Sequence, residues 1–251
     1  MSWSMKNSLS YLASTKIHYY HCHPRKKIPL SVYLLSVIIG DSNGVISAFV
    51  VRDGAIICKF KTQPDAHEIS AMLYDSTNER IFYSCAHEIK AINRKGKQVF
   101  RYDTFTTETI NFLYLRPKLN IMYAGGSFVL NMLEICDTSF KDRGCYIFQD
   151  KIKDMILLGF DESYCLVALA GKECVLLNGN TKAASLILQN GVTTLLQFAN
   201  IDSNIVFGTA NGTIGILRVT LKCITVLWEK STQENSQITG LHYGNILRVR
   251  H

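Results

Sequence analysis

The chain has 251 residues, of which 47% are hydrophobic and 19% are charged, and its formal net charge is +7. This balance excludes an intrinsically disordered chain and predicts a globular protein with a substantial core. No apolar run reaches the ~18 residues of a membrane-spanning helix, and residues 1–7 lack the apolar stretch of a secretory signal.

Five short segments of similar sequence recur along the chain at nearly equal spacing. They begin at Ser36, Arg80, Asn120, Tyr164 and Asn204, which are separated by 44, 40, 44 and 40 residues. A period in the low forties is typical of a β-propeller, whose four-stranded blades bury their faces against one another. We therefore predict an all-β, WD40-like propeller.

The predicted strands follow this period in chain order. The first blade has strands at 37–40, 45–51 and 55–61 and a less clear start. The other blades have strands at 68–74, 81–85, 88–93 and 97–102; at 109–115, 121–125, 128–135 and 145–149; at 154–160, 164–170, 173–177 and 183–188; and at 192–199, 205–209, 213–219 and 223–229. We expect 81–85, 121–125, 165–170 and 205–209 to be equivalent, buried strands.

The blade count is about five complete four-stranded blades, with 238–243 as the start of a sixth. The predicted propeller is incomplete relative to a seven-bladed ring, which would need roughly 295 residues at about 42 per blade. Exposed blade faces and strand edges promote aggregation. We therefore expect this chain alone to be insoluble, chaperone-bound or partner-dependent.

Two segments were considered as metal sites. His21 and His23 would point the same way on a strand within 18–23, but a structural zinc site needs four ligands and no second pair follows. The segment 41–44 resembles half of a calcium loop, yet the twelfth position from Asp41 is Arg52 instead of a glutamate. We read it as a hairpin turn and predict no metal site and no cofactor.

Catalytic motifs are not apparent in the sequence. Asp161 and Glu162 are adjacent carboxylates, but neighbouring residues on a strand point to opposite faces, and we place both in a turn. On these grounds we predict no catalytic residues.

The eight cysteines include no C-x-x-C pair: Cys22, Cys58, Cys85, Cys136, Cys145, Cys165, Cys174 and Cys223. Most lie in apolar strands, so we interpret them as small buried residues in a reducing compartment. A disulfide framework is the alternative.

Basic residues cluster at 25–27, at 94–97 and near the end at Arg248 and Arg250. Scattered lysines in turns usually form a solvated surface, and an anionic membrane or an acidic partner is the functional alternative. We do not favour nucleic acid, because no aromatic residues are interleaved with the basic clusters in a recognisable module.

Several segments resemble the Bardet–Biedl syndrome 7 family of BBSome subunits, in order over roughly residues 35 to 240. The run 94–98, Arg-Lys-Gly-Lys-Gln, beside the strand 88–90 is fairly specific. The other matching segments are 37–45 with 58–62, 79–82, 107–110, 150–154 and 207–212 with Trp228-Glu229. Residues 1–34 match poorly and are a candidate source of strands for the first blade, 35–243 are the blades, and 244–251 form a short divergent tail.

The resemblance implies a non-catalytic interaction scaffold. It would be a subunit of the BBSome coat, which carries membrane proteins to and from the primary cilium and supports ciliogenesis. The implied partners are other BBSome subunits and, through the assembled coat, an anionic membrane surface, with no nucleic acid and no small-molecule substrate. The implied location is the cytoplasm, cilium, basal body and ciliary membrane.

Two other functions remain open. One is a propeller adaptor of another trafficking or ubiquitin-ligase complex. The other is a propeller enzyme with a central channel, which would need titratable residues on the innermost strands. Those strands, taken as 69–72, 110–112, 155–157 and 193–195, offer mainly Ser, Asn and Thr, which favours a scaffold.

Overall fold

The computed structural model describes residues 17–20, 35–52, 55–137, 139–197, 203–232 and 235–241. These residues form twenty strands in five four-stranded sheets, and consecutive strands pair within each sheet. This arrangement confirms the all-β propeller class with five complete blades. Among the described residues no helix is long and apolar enough to cross a bilayer.

The strands are numbered in chain order. The first sheet contains β1 (Ile17–Tyr20), β2 (Leu35–Gly40), β3 (Ile46–Arg52) and β4 (Ala55–Lys61), and the second β5 (Ile69–Asp75), β6 (Arg80–Cys85), β7 (Glu88–Asn93) and β8 (Gln98–Asp103). The third contains β9 (Phe112–Arg116), β10 (Ile121–Gly125), β11 (Val129–Ile135) and β12 (Phe140–Ile147). The fourth contains β13 (Ile152–Leu157), β14 (Tyr164–Leu169), β15 (Glu173–Asn178) and β16 (Thr181–Ile187). The fifth contains β17 (Val192–Gln197), β18 (Asn204–Thr209), β19 (Thr213–Val219) and β20 (Ile224–Ser231).

The second strand of each sheet carries a small residue near its end: Gly40, Ser84, Ala124, Ala168 and Gly208. At two of these positions the reason is a close approach by an isoleucine. A Cβ on Gly40 would lie 2.7 Å from Cγ2 of Ile69, and a Cβ on Gly208 would lie 2.5 Å from Cγ2 of Ile238. The repeat seen in the sequence therefore marks where one blade packs against the next.

The outer strands share a second recurring feature, a β-bulge. The register shifts between β3 and β4, between β7 and β8, between β15 and β16, and between β19 and β20. In each case one residue of the outer strand has no direct partner: Lys59, Val99, Ala183 and Leu227. Bulges are common on edge strands because they bend and twist the edge out of a geometry that could pair with another chain.

The chain divides into two compact units. Unit 1 comprises Met1–Ser127 and Leu133–Asp142, and unit 2 comprises Phe128–Met132 and Arg143–His251. Unit 1 has two apolar clusters, one of them rich in aromatic residues, in which the Phe100 and Phe140 rings lie 4.6 Å apart. The cluster of unit 2 is mainly aliphatic, built around residues such as Leu166, Leu176 and Leu217.

Some predicted strand boundaries are wrong. β12 was expected at 145–149 but begins at Phe140, because an outer strand is solvated and tolerates a polar sequence such as Lys141-Asp142-Arg143. β13 begins at Ile152 instead of residue 154. The predicted sixth-blade segment has no strand assigned up to residue 241, and 242–243 lie outside the described residues.

The segment around Ile238 nevertheless repeats the contacts that begin an earlier sheet. The Ile238 amide donates to the Thr209 carbonyl at 3.0 Å, and the Ile69 amide donates to the Asp41 carbonyl at 3.1 Å. Thr209 and Asp41 each follow the glycine against which the isoleucine packs. Ile238 therefore stands where the first strand of a further sheet would begin.

The expectation of buried cysteines is only partly correct. Cys85, Cys165 and Cys174 are buried, Cys136 is half-buried, and Cys58, Cys145 and Cys223 are exposed. All seven of these cysteines in the described ranges are free thiols. Cys58 is exposed because β4 is an outer strand, on which even Ile56 is 73% exposed. Cys22 lies outside the described residues.

Candidate functional site

Of the residues considered for metal binding or catalysis, Asp41 and Asp161 lie in separate turns. His21 and His23 lie outside the described residues. Asp41 accepts hydrogen bonds from the amides of Asn43 and Val45, both at 2.9 Å, as expected for a turn. Asp161 also lies in a turn, where its carboxylate accepts the Ser163 amide at 2.8 Å. Within the described ranges no three His, Cys, Asp or Glu residues are grouped so that they could hold a metal ion.

The first strands of the second, fourth and fifth sheets each carry a bulge, and in the fourth sheet the sequence analysis placed the corresponding residues incorrectly. Ser70, Lys153 and Thr193 are the unpaired residues of β5, β13 and β17. Lys153 and Asp154 therefore correspond to Ser70 and Ala71. The sequence analysis had instead taken 155–157 as the equivalent part of the innermost strand. The Ser70 hydroxyl donates to the Ile110 carbonyl at 2.6 Å, and the Thr193 hydroxyl donates to the Ile238 carbonyl at 2.6 Å.

The sequence analysis did not identify Asp154 as a partly buried carboxylate. Its two oxygens accept the Met155 amide at 2.8 Å and the Leu195 amide at 2.7 Å. Desolvation raises the pKa of Asp154 in spite of these bonds. The carboxylate ties β13 to β17, and an Asp within an apolar first strand was the signal in the sequence.

A charged cluster lies at the loop end of the second sheet. The buried Lys90 ammonium contacts the Asp65 oxygens at 2.7 and 2.8 Å and Glu88 Oε2 at 2.9 Å. Glu88 also pairs with Arg101, and the Tyr83 hydroxyl is 3.5 Å from Asp65. Asp65 belongs to the loop between the first and second sheets, so the cluster fixes that loop.

The titration of this cluster follows from its geometry. Burial by itself would raise the pKa of Asp65, but the Lys90 and Ala66 hydrogen bonds outweigh it and lower the pKa. The same balance, with Lys90 and Arg101 as partners, lowers the pKa of Glu88. Burial opposes the charge of Lys90, yet its two carboxylates raise the pKa of Lys90. The cluster is therefore held in its ionised form at neutral pH.

The same end of unit 1 presents an exposed aromatic side chain. Phe105 is 86% exposed and has a φ of 57°, in the left-handed region. Its amide donates to Asp103 Oδ1 at 2.8 Å, and the preceding Thr104 hydroxyl donates to the His87 carbonyl at 2.7 Å. A left-handed conformation is costly for a bulky residue, and here the flanking hydrogen bonds hold it. The loop presents Phe105 in a fixed position.

The opposite end of unit 1 carries several basic side chains in its turns. It carries Lys95 and Lys97 in the exposed turn after β7, and Lys118 in the turn after β9. Arg94 in the same turn pairs with Glu79.

Unit 2 contains a groove beside the end of β12, which we call the rim groove. It encloses about 260 Å³ and is lined by Tyr146, Ile147, Phe148, Gln149, Leu169, Glu173, Val175 and Lys182. Glu173 and Lys182 form an ion pair at 2.7 Å across β15 and β16. The groove combines aromatic and aliphatic walls with polar groups, as protein interaction sites do.

The sequence model of the BBS7 beta-propeller family matches residues 33–249. The mouse protein "BBSome complex member BBS7" is 29% identical over 205 residues, which are 77% of this chain and 28% of the mouse protein. The Caenorhabditis elegans protein "BBSome complex member bbs-7" is 22% identical over 224 residues, 84% of this chain and 30% of its own. The chain thus spans less than a third of the length of these relatives.

Solved structures show the same fold at low identity. A chain of the mitotic checkpoint complex superposes with a TM-score of 0.67 and 9% identity, over 85% of this chain and 69% of its own. Saccharomyces cerevisiae Sqt1 superposes with a TM-score of 0.69 and 14% identity, over 84% of this chain and 62% of its own. The WD40 propeller domain of Doa1 superposes with a TM-score of 0.62 and 13% identity, over 80% of this chain and 66% of its own.

Proposed function

The chain belongs to the BBS7 beta-propeller family, and from this we propose that it is a non-catalytic interaction scaffold within a BBSome. Its partners are the other BBSome subunits. In this role the chain contributes to the transport of membrane proteins to and from the primary cilium and to ciliogenesis. It acts in the cytoplasm, at the basal body and at the ciliary membrane, whose anionic surface it meets through the assembled coat.

The observation that carries this proposal is the family match over 33–249, a range that includes nearly all of the described strands. The side chains support it in a second way. The titratable groups of the charged cluster bind one another, and Asp154 accepts two backbone amides. These groups stabilise loops and neighbouring strands, while Phe105 and the lysine turns are presented to solvent. Such a division suits a protein that binds partners by its surface.

Affinity purification tests the assembly. The tagged full chain is expressed in ciliated cells, and BBSome subunits recovered from the soluble fraction are quantified by mass spectrometry. We expect several BBSome subunits to be enriched over an unrelated tagged propeller. A soluble chain that melts cooperatively but recovers no BBSome subunit would overturn the proposal. Recovery of a ubiquitin-ligase or another trafficking complex in its place would favour the alternative adaptor function.

A matched pair of variants addresses the surface used. Phe105→Ser removes the exposed aromatic side chain at the end of unit 1 that holds the charged cluster, and Leu119→Ser removes an exposed side chain from a turn at the opposite end. We expect Phe105→Ser to lower the recovery of at least one subunit and Leu119→Ser to leave recovery unchanged. Equal recovery with both variants would remove Phe105 from the interface without affecting the scaffold proposal.

A further inference from the structure

The rim groove has the size of a site for one side chain. Its volume is about 260 Å³, whereas a cavity of about 150 Å³ holds a benzene ring and pockets for drug-sized ligands begin near 300 Å³. One large apolar side chain of a partner therefore fills it. The buried Phe148, Leu169 and Val175 form the inner wall, and Ile147, which is 68% exposed, forms the rim.

The outer strands of the third and fourth sheets end differently from the others. Ile147 and Ile187 are their last residues, and they are 68% and 75% exposed. The next residues, Phe148 and Leu188, donate their amides to the Phe128 and Lys172 carbonyls, as Thr104 does to His87. By this alignment the corresponding residues of the second and fifth sheets are Asp103 and Ser231. Ile147 lines the groove, and Ile187 pairs in register with Glu173, another lining residue.

The charges around the groove favour an acidic occupant. Glu173 is neutralised by Lys182, and Asp150, on the loop after the groove, is half-buried and accepts the Lys151 amide. Lys151 and Lys172 are exposed and have no ion-pair partner among the described residues. Lys172 has a φ of 77°, and both backbones are fixed by hydrogen bonds from Ala170 and Leu188 at 2.8 and 2.9 Å. Two lysines with fixed backbones therefore lie near the groove.

From these features we propose that the rim groove docks an acidic segment of a partner protein that inserts one large apolar side chain. The side chain enters between Ile147 and the inner wall, and carboxylates that flank it pair with Lys151 and Lys172. A concave site for a single side chain suits a protein segment better than a planar membrane. This inference does not depend on assembly into a BBSome.

The test uses the full chain and a set of short fluorescent peptides. Each peptide carries one Leu, Phe or Trp anchor between flanks that are acidic, neutral or basic, and binding is measured by fluorescence anisotropy. We expect acidic flanks to bind about tenfold more tightly than basic ones, since each exposed ion pair contributes modestly. Added salt should reduce this preference.

Variants locate the binding site. Ile147→Asp should weaken every peptide about tenfold, and Ile187→Asp provides a second variant should Ile147→Asp lower the melting temperature. Lys172→Glu should shift the preference toward basic flanks, an effect that a merely structural role of Lys172 would not produce. Lys222→Glu, in an exposed turn of the same unit, is the matched control and should leave the preference unchanged.

Several outcomes would overturn the inference. One is the lack of any preference for acidic flanks, and another is binding that neither Ile147→Asp nor Ile187→Asp reduces. Cosedimentation with phosphatidylserine vesicles that Lys172→Glu abolishes, without peptide discrimination, would assign the surface to a membrane. Self-association that Ile147→Asp abolishes in analytical ultracentrifugation would assign it to a second copy of this chain.

Discussion

The second and fifth sheets follow the same repeat but stabilise their loop ends by different chemistry. Ile89 pairs with Ser84 in the second sheet, and Ile214 pairs with Gly208 in the fifth, so the two positions correspond. The second sheet then has Lys90, whose ammonium binds two carboxylates. The fifth has Gly215 at that place, and the Phe207 ring packs over it.

The neighbouring positions differ in the same way. Glu88 of the second sheet corresponds to Thr213 of the fifth, whose amide donates to the Thr209 hydroxyl at 2.9 Å. The repeat thus specifies the backbone of each sheet, while the loop end can be stabilised either by ion pairs or by neutral groups. Ion pairs respond to pH and salt, whereas hydroxyl and aromatic contacts do not. Of these two sheets, the second is therefore the one whose stability should depend more on pH and salt.

The largest expected effect comes from removing the cation of the charged cluster. Lys90→Met should destabilise the protein by about 3–5 kcal/mol, because two partly buried carboxylates lose their partner. Urea unfolding measures the loss, and exposed Lys95→Met is the control. Adding Asp65→Asn and Glu88→Gln to Lys90→Met should restore part of the stability. If Lys90→Met and Lys95→Met unfold at the same urea concentration, the cluster does not stabilise the second sheet.

The next largest loss of stability should come from enlarging the small residue of β18 in the fifth sheet. Gly208→Val forces a side chain against Ile238 and Thr194 and should cost about 1–3 kcal/mol. Lys97→Ala, in an exposed turn, should change stability by less than about 0.5 kcal/mol. Thermal unfolding compares the two. Equal midpoints would contradict the packing of Ile238 on Gly208.

The pH dependence of stability separates the two sheets. Asp65 and Glu88 have pKa values below their ordinary values of 3.8 and 4.5. Their stabilisation is therefore complete above those values and is lost as the pH falls through the lower folded-state pKa values. The stability difference between the wild type and Lys90→Met should therefore shrink in acid. The effect of Gly208→Val should stay constant with pH, and a parallel decline would argue against this distinction.

The smallest effect concerns the fourth sheet, which has features of both. Because desolvation raises the pKa of Asp154, its contribution to stability is greatest below the ordinary value and falls as the pH rises through the folded-state pKa. Asp154→Asn keeps one acceptor oxygen and removes the charge. It should change stability by less than about 1 kcal/mol at neutral pH. In acid the wild type should become more stable relative to Asp154→Asn. Unfolding curves of both proteins at two pH values would test this difference.

The interval of the repeat was sufficient to predict the blades, because every second strand needs a small residue and an apolar run. The predicted strands at 81–85, 121–125, 165–170 and 205–209 are confirmed as β6, β10, β14 and β18, the second strands of their sheets. Gly208 lies within β18, where it packs closely against Ile238.

The surfaces could not be predicted in the same way. The Lys90 cluster joins Asp65 to a residue 25 positions away, and such pairs leave no periodic signal. The rim groove depends on where β12 begins and ends, which its polar sequence obscured. Exposure of Ile56 and Cys58 was missed for a related reason, because an apolar run on an outer strand resembles one in the core.

The bulges of the outer strands have a consequence for local motion. At Lys59, Val99, Ala183 and Leu227 the ladder between the third and fourth strands is interrupted, so each outer strand is held by two short runs of hydrogen bonds. Either run can open up to the bulge while the inner three strands stay paired. Amide hydrogen exchange should therefore proceed in half-strand steps along the outer strands, well before the second strands of the sheets lose protection.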